Sequence, residues 1–302
     1  MAKRIASDTD AAVAANRIEQ AKIVEAYNNK TETAVTYTDA NSKAPVMGTG
    51  YSIDLDELNA KCLVPSIAEI EPLIDWRMLL AFWNFKGNSL VEIIAGNPEA
   101  ARTLNEAKAM FATVMEEGLI ELVSAIRFFP ATKRGNDIVI NDEITLPMYR
   151  SQCEPYLSLA DYFSEDTPSP IGLFIVSAKL HDNYDEKSYE HLMLHALAAR
   201  VAEAATQWIH HKAFSGQTSI RPAFGYAVCP DHRLKAVAFM ALNAEERLGI
   251  TLTEGYSISP STSVCGMYIA HPDAHYFPVM GIDSDQEQDY ENRIKTALAC
   301  QK

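Results

Sequence analysis

The sequence predicts an α+β fold, a single large domain with a mixed or antiparallel sheet flanked by long helices. Residues 125–129 and 137–140 are short strand-like segments joined through Lys133-Arg134-Gly135-Asn136, a composition typical of a hairpin turn. Residues 172–176 form an apolar run of strand length, and a long helical pattern follows at residues 186–212. Strands and helices do not alternate regularly, which argues against a doubly wound parallel sheet.

The first third of the chain is predicted to be mainly helical. Residues 9–28 carry apolar side chains at helical spacing, whereas residues 30–51 are rich in Thr, Ser, Asn, Gly and Pro and predict an extended arm. Further helical patterns cover residues 55–60, 67–85 and 98–124. We therefore divide the chain into an N-terminal helix and arm, residues 1–50, and one large domain, residues 51–302.

The last third is predicted to contain a loop, a helix, two strands and a final helix. In order, these occupy residues 221–231, 234–248, 263–269, 276–279 and 285–299.

Composition and charge exclude several classes of partner. The net charge of −14 repels phosphate backbones and anionic lipid, so we expect neither nucleic acid nor membrane as a partner. The chain has no apolar run of membrane-helix length and no signal-peptide core after Met1. Its five scattered cysteines suit reduced thiols, and together these features predict a cytoplasmic protein.

Common catalytic and metal motifs are missing or incomplete. The sequence has neither a dinucleotide glycine pattern nor a phosphate loop nor a nucleophile elbow. His191 and His195 have zinc-ligand spacing, but the glutamate of H-E-x-x-H is missing and a helix surface is favoured. Cys229 and His232 resemble half of a metal site without a second pair of ligands. We therefore predict no metal site.

Residues 221–232, R-P-A-F-G-Y-A-V-C-P-D-H, are the segment most suited to binding a ligand. Two prolines and a glycine favour an irregular loop whose backbone groups remain available to a ligand. Arg221 offers a guanidinium fork that suits a carboxylate. The alternative is a shaped connection in which Arg221 pairs with a surface carboxylate, and composition alone favours that alternative.

This segment resembles the signature of the activation domain of cobalamin-dependent methionine synthase, R-P-A-x-G-Y-x-x-C-P-D-H. Downstream, residues 252–254, 263–268, 271–277 and 285–293 are similar to further family motifs in the same order. Upstream, residues 74–76 resemble its I-D-W segment, and residues 129–138 resemble its F-P-A segment. The resemblance covers residues 50–295 and excludes the N-terminal helix.

The resemblance implies an S-adenosylmethionine site. It places Asp75, Glu203, Arg221, Ala223, Gly225, Tyr276 and Phe277 at that ligand, and Tyr226 nearest the corrin ring of cobalamin. Arg221 is expected to hold the methionine carboxylate, and Asp75 to offset the ligand's positive charge. A solvated helix carboxylate is the alternative interpretation of Glu203.

The sequence departs from the family pattern in three places. Residues 212–220 are a shorter connection than the family usually carries between its long helix and R-P-A. Arg77-Met78-Leu79-Leu80 replaces Thr-Pro and two aromatics, and Ala199 stands where the family often has Asp. The last change removes an expected contact with the partner's cobalt-ligating histidine.

The resemblance implies a reactivation subunit that uses S-adenosylmethionine in the reductive re-methylation of cob(II)alamin. The chain lacks the cobalamin-binding D-x-H-x-x-G, so cobalamin is expected only through a partner, a separate cobalamin-carrying methionine synthase chain. A flavodoxin-like protein is expected to donate the electron. Service to another corrinoid protein, or a non-catalytic sensing or structural role, remains the alternative.

Overall fold

The structure is a computed structural model, and it describes residues 34–48, 50–60, 64–182 and 184–299. The helix predicted at residues 9–28 lies outside these described residues. The rest of the chain has helices packed around an antiparallel sheet, so the predicted α+β class is confirmed.

The main sheet has the strand order β3-β2-β1-β4-β8-β5, and neighbouring strands are antiparallel. Its strands are β1 (Ile120–Arg134), β2 (Asp137–Ile140), β3 (Ile144–Pro147), β4 (Ser169–Leu180), β5 (Ser219–Ile220) and β8 (Ser263–Ala270). A separate two-stranded ribbon pairs β6 (Thr251–Leu252) with β7 (Ile258–Ser259). The long strands β1 and β4 pair from Ile120↔Leu180 to Ala131↔Ser169 and form the middle of the sheet.

Strand β4 is buried on both faces, as its apolar run predicts. Because side chains alternate along a strand, Ile171, Leu173 and Ile175 enter one hydrophobic core. Phe174 and Val176 enter a second core on the opposite face. The sheet therefore separates two helical layers.

The first helical layer is centred on the long helix α7 (Tyr189–Ala213), which buries Leu194, Leu197 and Val201 against the sheet. Around it lie α2 (Leu55–Ala60), α3 (Ile67–Ile70), α4 (Trp76–Phe82), α5 (Leu90–Gly96) and α6 (Pro98–Glu117). A 3₁₀ turn, Glu71–Leu73, joins α3 to α4.

The second layer consists of α8 (Leu234–Leu242), α9 (Ala244–Leu248) and α10 (Ser284–Ala299). Val237 of α8 and Ile294 of α10 pack into the first core. A further 3₁₀ turn, Leu159–Tyr162, lies between β3 and β4 in the chain.

Several predicted elements end where a local signal interrupts them. The helical stretch 98–124 ends at Glu117, because Gly118 adopts a left-handed C-cap with φ 66°, and β1 begins at Ile120. Helix 234–248 is divided at Asn243, which has φ 50°. The pattern at residues 67–85 is divided where Asp75 caps the start of α4.

The strand predicted at residues 276–279 was wrong. These residues are irregular, because Pro278 cannot donate a ladder hydrogen bond and Tyr276 turns toward the loop at Arg221. Strands β2 and β8 confirm the predicted segments, whereas β3 and the short strands β5, β6 and β7 were missed.

The predicted arm contains a six-residue helix, α1 (Tyr37–Ser42), that sequence reasoning missed. Thr36 caps it by accepting a hydrogen bond from the backbone N–H of Asp39. The Tyr37 hydroxyl donates to Asp289 of α10 at 2.9 Å, and Val35 exchanges hydrogen bonds with Gln152. This part of the arm is therefore packed against the domain.

The buried guanidinium of Arg150 connects the arm to the sheet side of the domain. Arg150 is 1% exposed and binds Asp161 through two hydrogen bonds of 2.7 Å. It also donates to Asn136 and to Asn41 of α1. Burial alone would raise the pKa of Asp161, but the hydrogen bonds and charges of Arg150 and Lys133 outweigh burial and lower it.

We expect Arg150→Met to destabilise the protein by about 3–5 kcal/mol, because it leaves the Asp161 carboxylate buried without its main partner. Urea unfolding at neutral pH measures the change. The matched control is Arg102→Met, which removes an exposed guanidinium paired with Glu99 and should change stability little. Equal effects of the two substitutions would contradict a special role for the buried pair.

Candidate functional site

A cavity of about 440 Å³ opens between the loop after β5, strand β8 and helix α7. Its walls are mostly apolar and aromatic. They include Phe174, Val228, Val264, Phe277 and Pro278. Among the polar groups, Glu203 and Arg221 lie at one side of the cavity as an ion pair. A volume of this size and an apolar lining with few polar groups are typical of small-molecule sites.

The loop after β5 forms one wall because it lies directly against β8. The carbonyl of Pro222 accepts a hydrogen bond from the N–H of Met267 at 2.9 Å, and Phe224 donates to the carbonyl of Cys265. A Cβ atom on Gly266 would lie 2.3 Å from the Pro222 carbonyl oxygen. The glycine therefore permits a backbone approach that any other residue would block.

A tight turn then brings Tyr226 to the mouth of the cavity. The N–H of Gly225 donates to the carbonyl of Cys229 at 2.7 Å, and the N–H of Cys229 donates to the carbonyl of Tyr226 at 2.8 Å. Gly225 has φ 95°, and the His232 ring fills the space where its Cβ would be. The turn leaves the Tyr226 side chain 65% exposed.

Arg221 is fixed by contacts to α7. One of its terminal nitrogens, Nη1, donates to the Glu203 carboxylate at 3.0 Å and to the Thr206 hydroxyl. Thr206 is fully buried and also donates to the carbonyl of Glu203 at 2.7 Å. Glu203 is therefore a partner of Arg221 rather than a solvated helix carboxylate.

Tyr276 and Phe277 close the cavity from the segment after β8. The Tyr276 hydroxyl accepts a hydrogen bond of 2.8 Å from the backbone N–H of Arg221. Its ring is 61% exposed, whereas Phe277 is buried in the core. The pair therefore forms a rim that is anchored at both the loop and the core.

His210 lies on α7, one turn after Thr206, and is close to the guanidinium of Arg221. Burial, together with the nearby positive charge of Arg221, lowers its pKa to about 4. Its ring stacks on Tyr268, whose hydroxyl donates to the carbonyl of Thr206 at 2.9 Å. A neutral imidazole at this place avoids a second positive charge beside Arg221.

A second, smaller cleft of about 230 Å³ adjoins the cavity and shares Glu203 and Arg221 with it. Asp75 lines this cleft rather than the main cavity. One of its carboxylate oxygens caps α4 by accepting from the N–H of Met78 at 2.9 Å. The other oxygen makes no hydrogen bond with the residues that the structure describes.

The structure thus brings most of the predicted residues to one place. Glu203, Arg221, Ala223, Tyr226, Tyr276 and Phe277 line the main cavity. Gly225 shapes the loop without lining the cavity, and Asp75 lies in the adjoining cleft. Sequence reasoning missed Thr206, although its spacing of three residues from Glu203 on a helix signals a shared face.

The two candidate metal sites make other contacts. His191 faces Asp182 at 3.2 Å and His195 faces Ser261 at 2.9 Å. Burial raises the pKa of the Cys229 thiol well above its ordinary range, which disfavours a thiolate ligand, and His232 contacts Lys235. Within the described ranges, no group of three or more His, Cys, Asp or Glu side chains is placed to hold a metal ion.

Comparison with known proteins identifies the family. The family model described as vitamin B12 dependent methionine synthase, activation domain, matches residues 66–295, which is more than half of the chain. The chain belongs to this family. A solved structure, the MetH reactivation domain bound to AdoHcy, is similar to this activation domain, with a TM-score of 0.71 and 25% sequence identity. The likeness covers 88% of this chain and 97% of that one.

Two of the differences from the family pattern can be located in this activation domain. Ala199 lies on α7, one residue before Arg200, and its methyl group offers no hydrogen bond to a partner. Helix α7 ends at Ala213 and β5 begins at Ser219, so the connection to the loop is short.

None of the helices described in this structure is long and apolar enough to cross a membrane.

We expect Gly225→Ala to destabilise the activation domain and to displace the His232 ring, because the new Cβ would lie 2.0 Å from that ring. The loss of stability should exceed that of Gly216→Ala, which shares a positive φ, 78°, but has open space around it. The difference between the two variants in urea unfolding measures the clash alone. Identical losses would show that only backbone strain matters at Gly225.

Proposed function

We propose that this chain binds S-adenosylmethionine in the cavity and uses it to re-methylate cobalamin held by a methionine synthase module. The observation that carries the proposal is the Arg221 ion pair beside an aromatic, largely apolar cavity of about 440 Å³. This arrangement suits a ligand with a flat nucleoside and a charged amino-acid end. The similar reactivation domain was solved with AdoHcy, the demethylated form of this ligand.

The residues around the cavity suit distinct parts of the ligand. Phe277 and Tyr276 offer aromatic surface to the adenosine, and the backbone of Ala223, which lines the cavity, offers hydrogen-bonding groups. At the polar end, Arg221 suits the carboxylate, and the available Asp75 oxygen suits the ammonium. These contacts orient the sulfonium methyl group toward the cavity mouth at Tyr226.

The chemistry requires no general base from this chain, because a sulfonium methyl is already activated for transfer. In the proposed reaction, one electron from a flavodoxin-like donor reduces cob(II)alamin, and the methyl group then passes from sulfur to cobalt. The products are methylcobalamin and S-adenosylhomocysteine. Catalysis by this chain is therefore positioning of the methyl donor.

We further propose that the cobalamin is carried on a separate methionine synthase chain. The exposed Tyr226 ring at the cavity mouth offers apolar surface to the flat corrin ring of such a partner. Ala199, where the family often carries Asp, favours a second candidate, a sensing or structural subunit that binds the ligand without supporting methyl transfer.

We expect Arg221→Ala to weaken S-adenosylmethionine binding by about 1.5–3 kcal/mol, the cost of losing a charged hydrogen bond. Titration calorimetry on the purified protein measures this change. The control is Arg102→Ala, which lies on α6 and lines neither cavity nor cleft. If Arg221→Ala and the wild type bind with equal affinity, the assigned site is wrong.

We expect Tyr226→Ala to impair re-methylation more than ligand binding, because its side chain lies at the mouth and faces solvent. The assay combines this protein, a cob(II)alamin-carrying methionine synthase chain, S-adenosylmethionine and an electron donor, and follows the corrinoid absorbance spectrum. Tyr189→Ala removes another exposed tyrosine and serves as the control. Equal restoration without this protein would favour the sensing or structural role.

A further inference from the structure

The cleft beside the main cavity contains a guanidinium that has no role in the proposed function. Arg200 lines this cleft together with Asp75, Glu203, Gln207 and Arg221. On α7, Arg200, Glu203 and Gln207 are spaced by three and four residues, so they share one face of the helix. That face looks across the cleft at the start of α4, where Asp75 is the N-cap.

The charges of the cleft divide into a closed pair and an open pair. Glu203 and Arg221 pair with each other at 3.0 Å, and the same nitrogen of Arg221 also contacts Thr206. Asp75 uses one oxygen to cap α4. Arg200 is half-buried, and it makes no hydrogen bond or ion pair with any residue that the structure describes.

The open pair therefore consists of one anion, Asp75, and one cation, Arg200, on opposite walls of a cleft of about 230 Å³. An α-amino carboxylate carries the complementary charges on adjacent atoms, an ammonium and a carboxylate. A guanidinium is geometrically suited to bind a carboxylate through two parallel hydrogen bonds. A carboxylate in this cleft would also separate the positive charges of Arg200 and Arg221, which line it together.

We propose that Arg200 is a specificity-determining residue that binds the carboxylate of S-adenosylmethionine jointly with Arg221. This inference rests on the proposed function, because it assumes that the amino-acid end of this ligand enters the cleft. Arg200 selects ligands that retain the carboxylate against adenosylated sulfonium compounds that lack it. Arg221 differs from Arg200 because Glu203 and Thr206 already hold it in place.

The test compares two ligands that differ only in the carboxylate, S-adenosylmethionine and its decarboxylated analogue. Calorimetry is carried out on the wild type, Arg200→Gln, Arg200→Lys and the control Arg77→Gln. Arg77 lies on α4 near Asp75 but lines neither cavity nor cleft, so it reports the effect of a nearby charge alone. Thermal unfolding without ligand checks the fold, which Arg200→Gln should leave unchanged because no described contact is lost.

We expect Arg200→Gln to weaken S-adenosylmethionine binding about 10- to 100-fold, the range for a lost charged hydrogen bond, and to leave the decarboxylated analogue within about 2-fold. Arg200→Lys keeps the charge without the planar fork and should lie between Arg200→Gln and the wild type. Arg77→Gln should change neither affinity by more than about 2-fold, because an exposed charge is screened by solvent.

Two results would overturn the inference while leaving the proposed function intact. One is wild-type binding of S-adenosylmethionine that Arg200→Gln does not weaken, and the other is an equal loss for both ligands in that variant. Failure of the wild type to bind S-adenosylmethionine would instead overturn the proposed function and this inference together.

Discussion

The architecture of the site depends on one close backbone contact between the loop after β5 and strand β8. The carbonyl of Pro222 accepts from Met267 only because Gly266 has no side chain, since a Cβ there would lie 2.3 Å from that carbonyl oxygen. With the loop held against the strand, Arg221 reaches α7 on one side. On the other side, the turn at Gly225 carries Tyr226 to the cavity mouth. Loss of this contact would separate the loop from the wall that β8 forms.

The second constraint is the way in which α7 supplies charge to a largely apolar cavity. Its buried face supports the sheet through Leu197 and Val201, and an adjacent face presents Arg200 and Glu203. The buried Thr206 holds the Arg221 guanidinium against this helix. The low pKa of His210 keeps the neighbouring imidazole neutral, so Arg221 is the cation fixed beside this part of α7. The same helix therefore contributes to both the core and the site, so the packing of the core also fixes the positions of Arg200 and Glu203.

Most of the residues predicted from the sequence line the candidate cavity, but the sequence did not predict that a separate cleft adjoins it. Arg221, Ala223, Gly225 and Tyr226 are neighbours in the chain, so one motif predicted their common location, and the structure places them together. Asp75 comes from a distant segment, and the sequence did not show that it lies in a separate cleft. Thr206 and Arg200 belong to no motif that the sequence analysis used. Thr206 matters because it contacts Arg221, and Arg200 because it lines the cleft together with Asp75.

The sequence by itself determined the α+β class, the long helix α7, the doubly buried strand β4 and the irregular loop at residues 221–232. These features depend on periodicity, prolines and glycines, which act over a few neighbouring residues. Only the tertiary structure decided the strand order, the failure of residues 276–279 to form a strand, and the sharing of Glu203 between two cavities. The physical reason is that these outcomes depend on contacts between segments far apart in the chain, which local patterns do not encode.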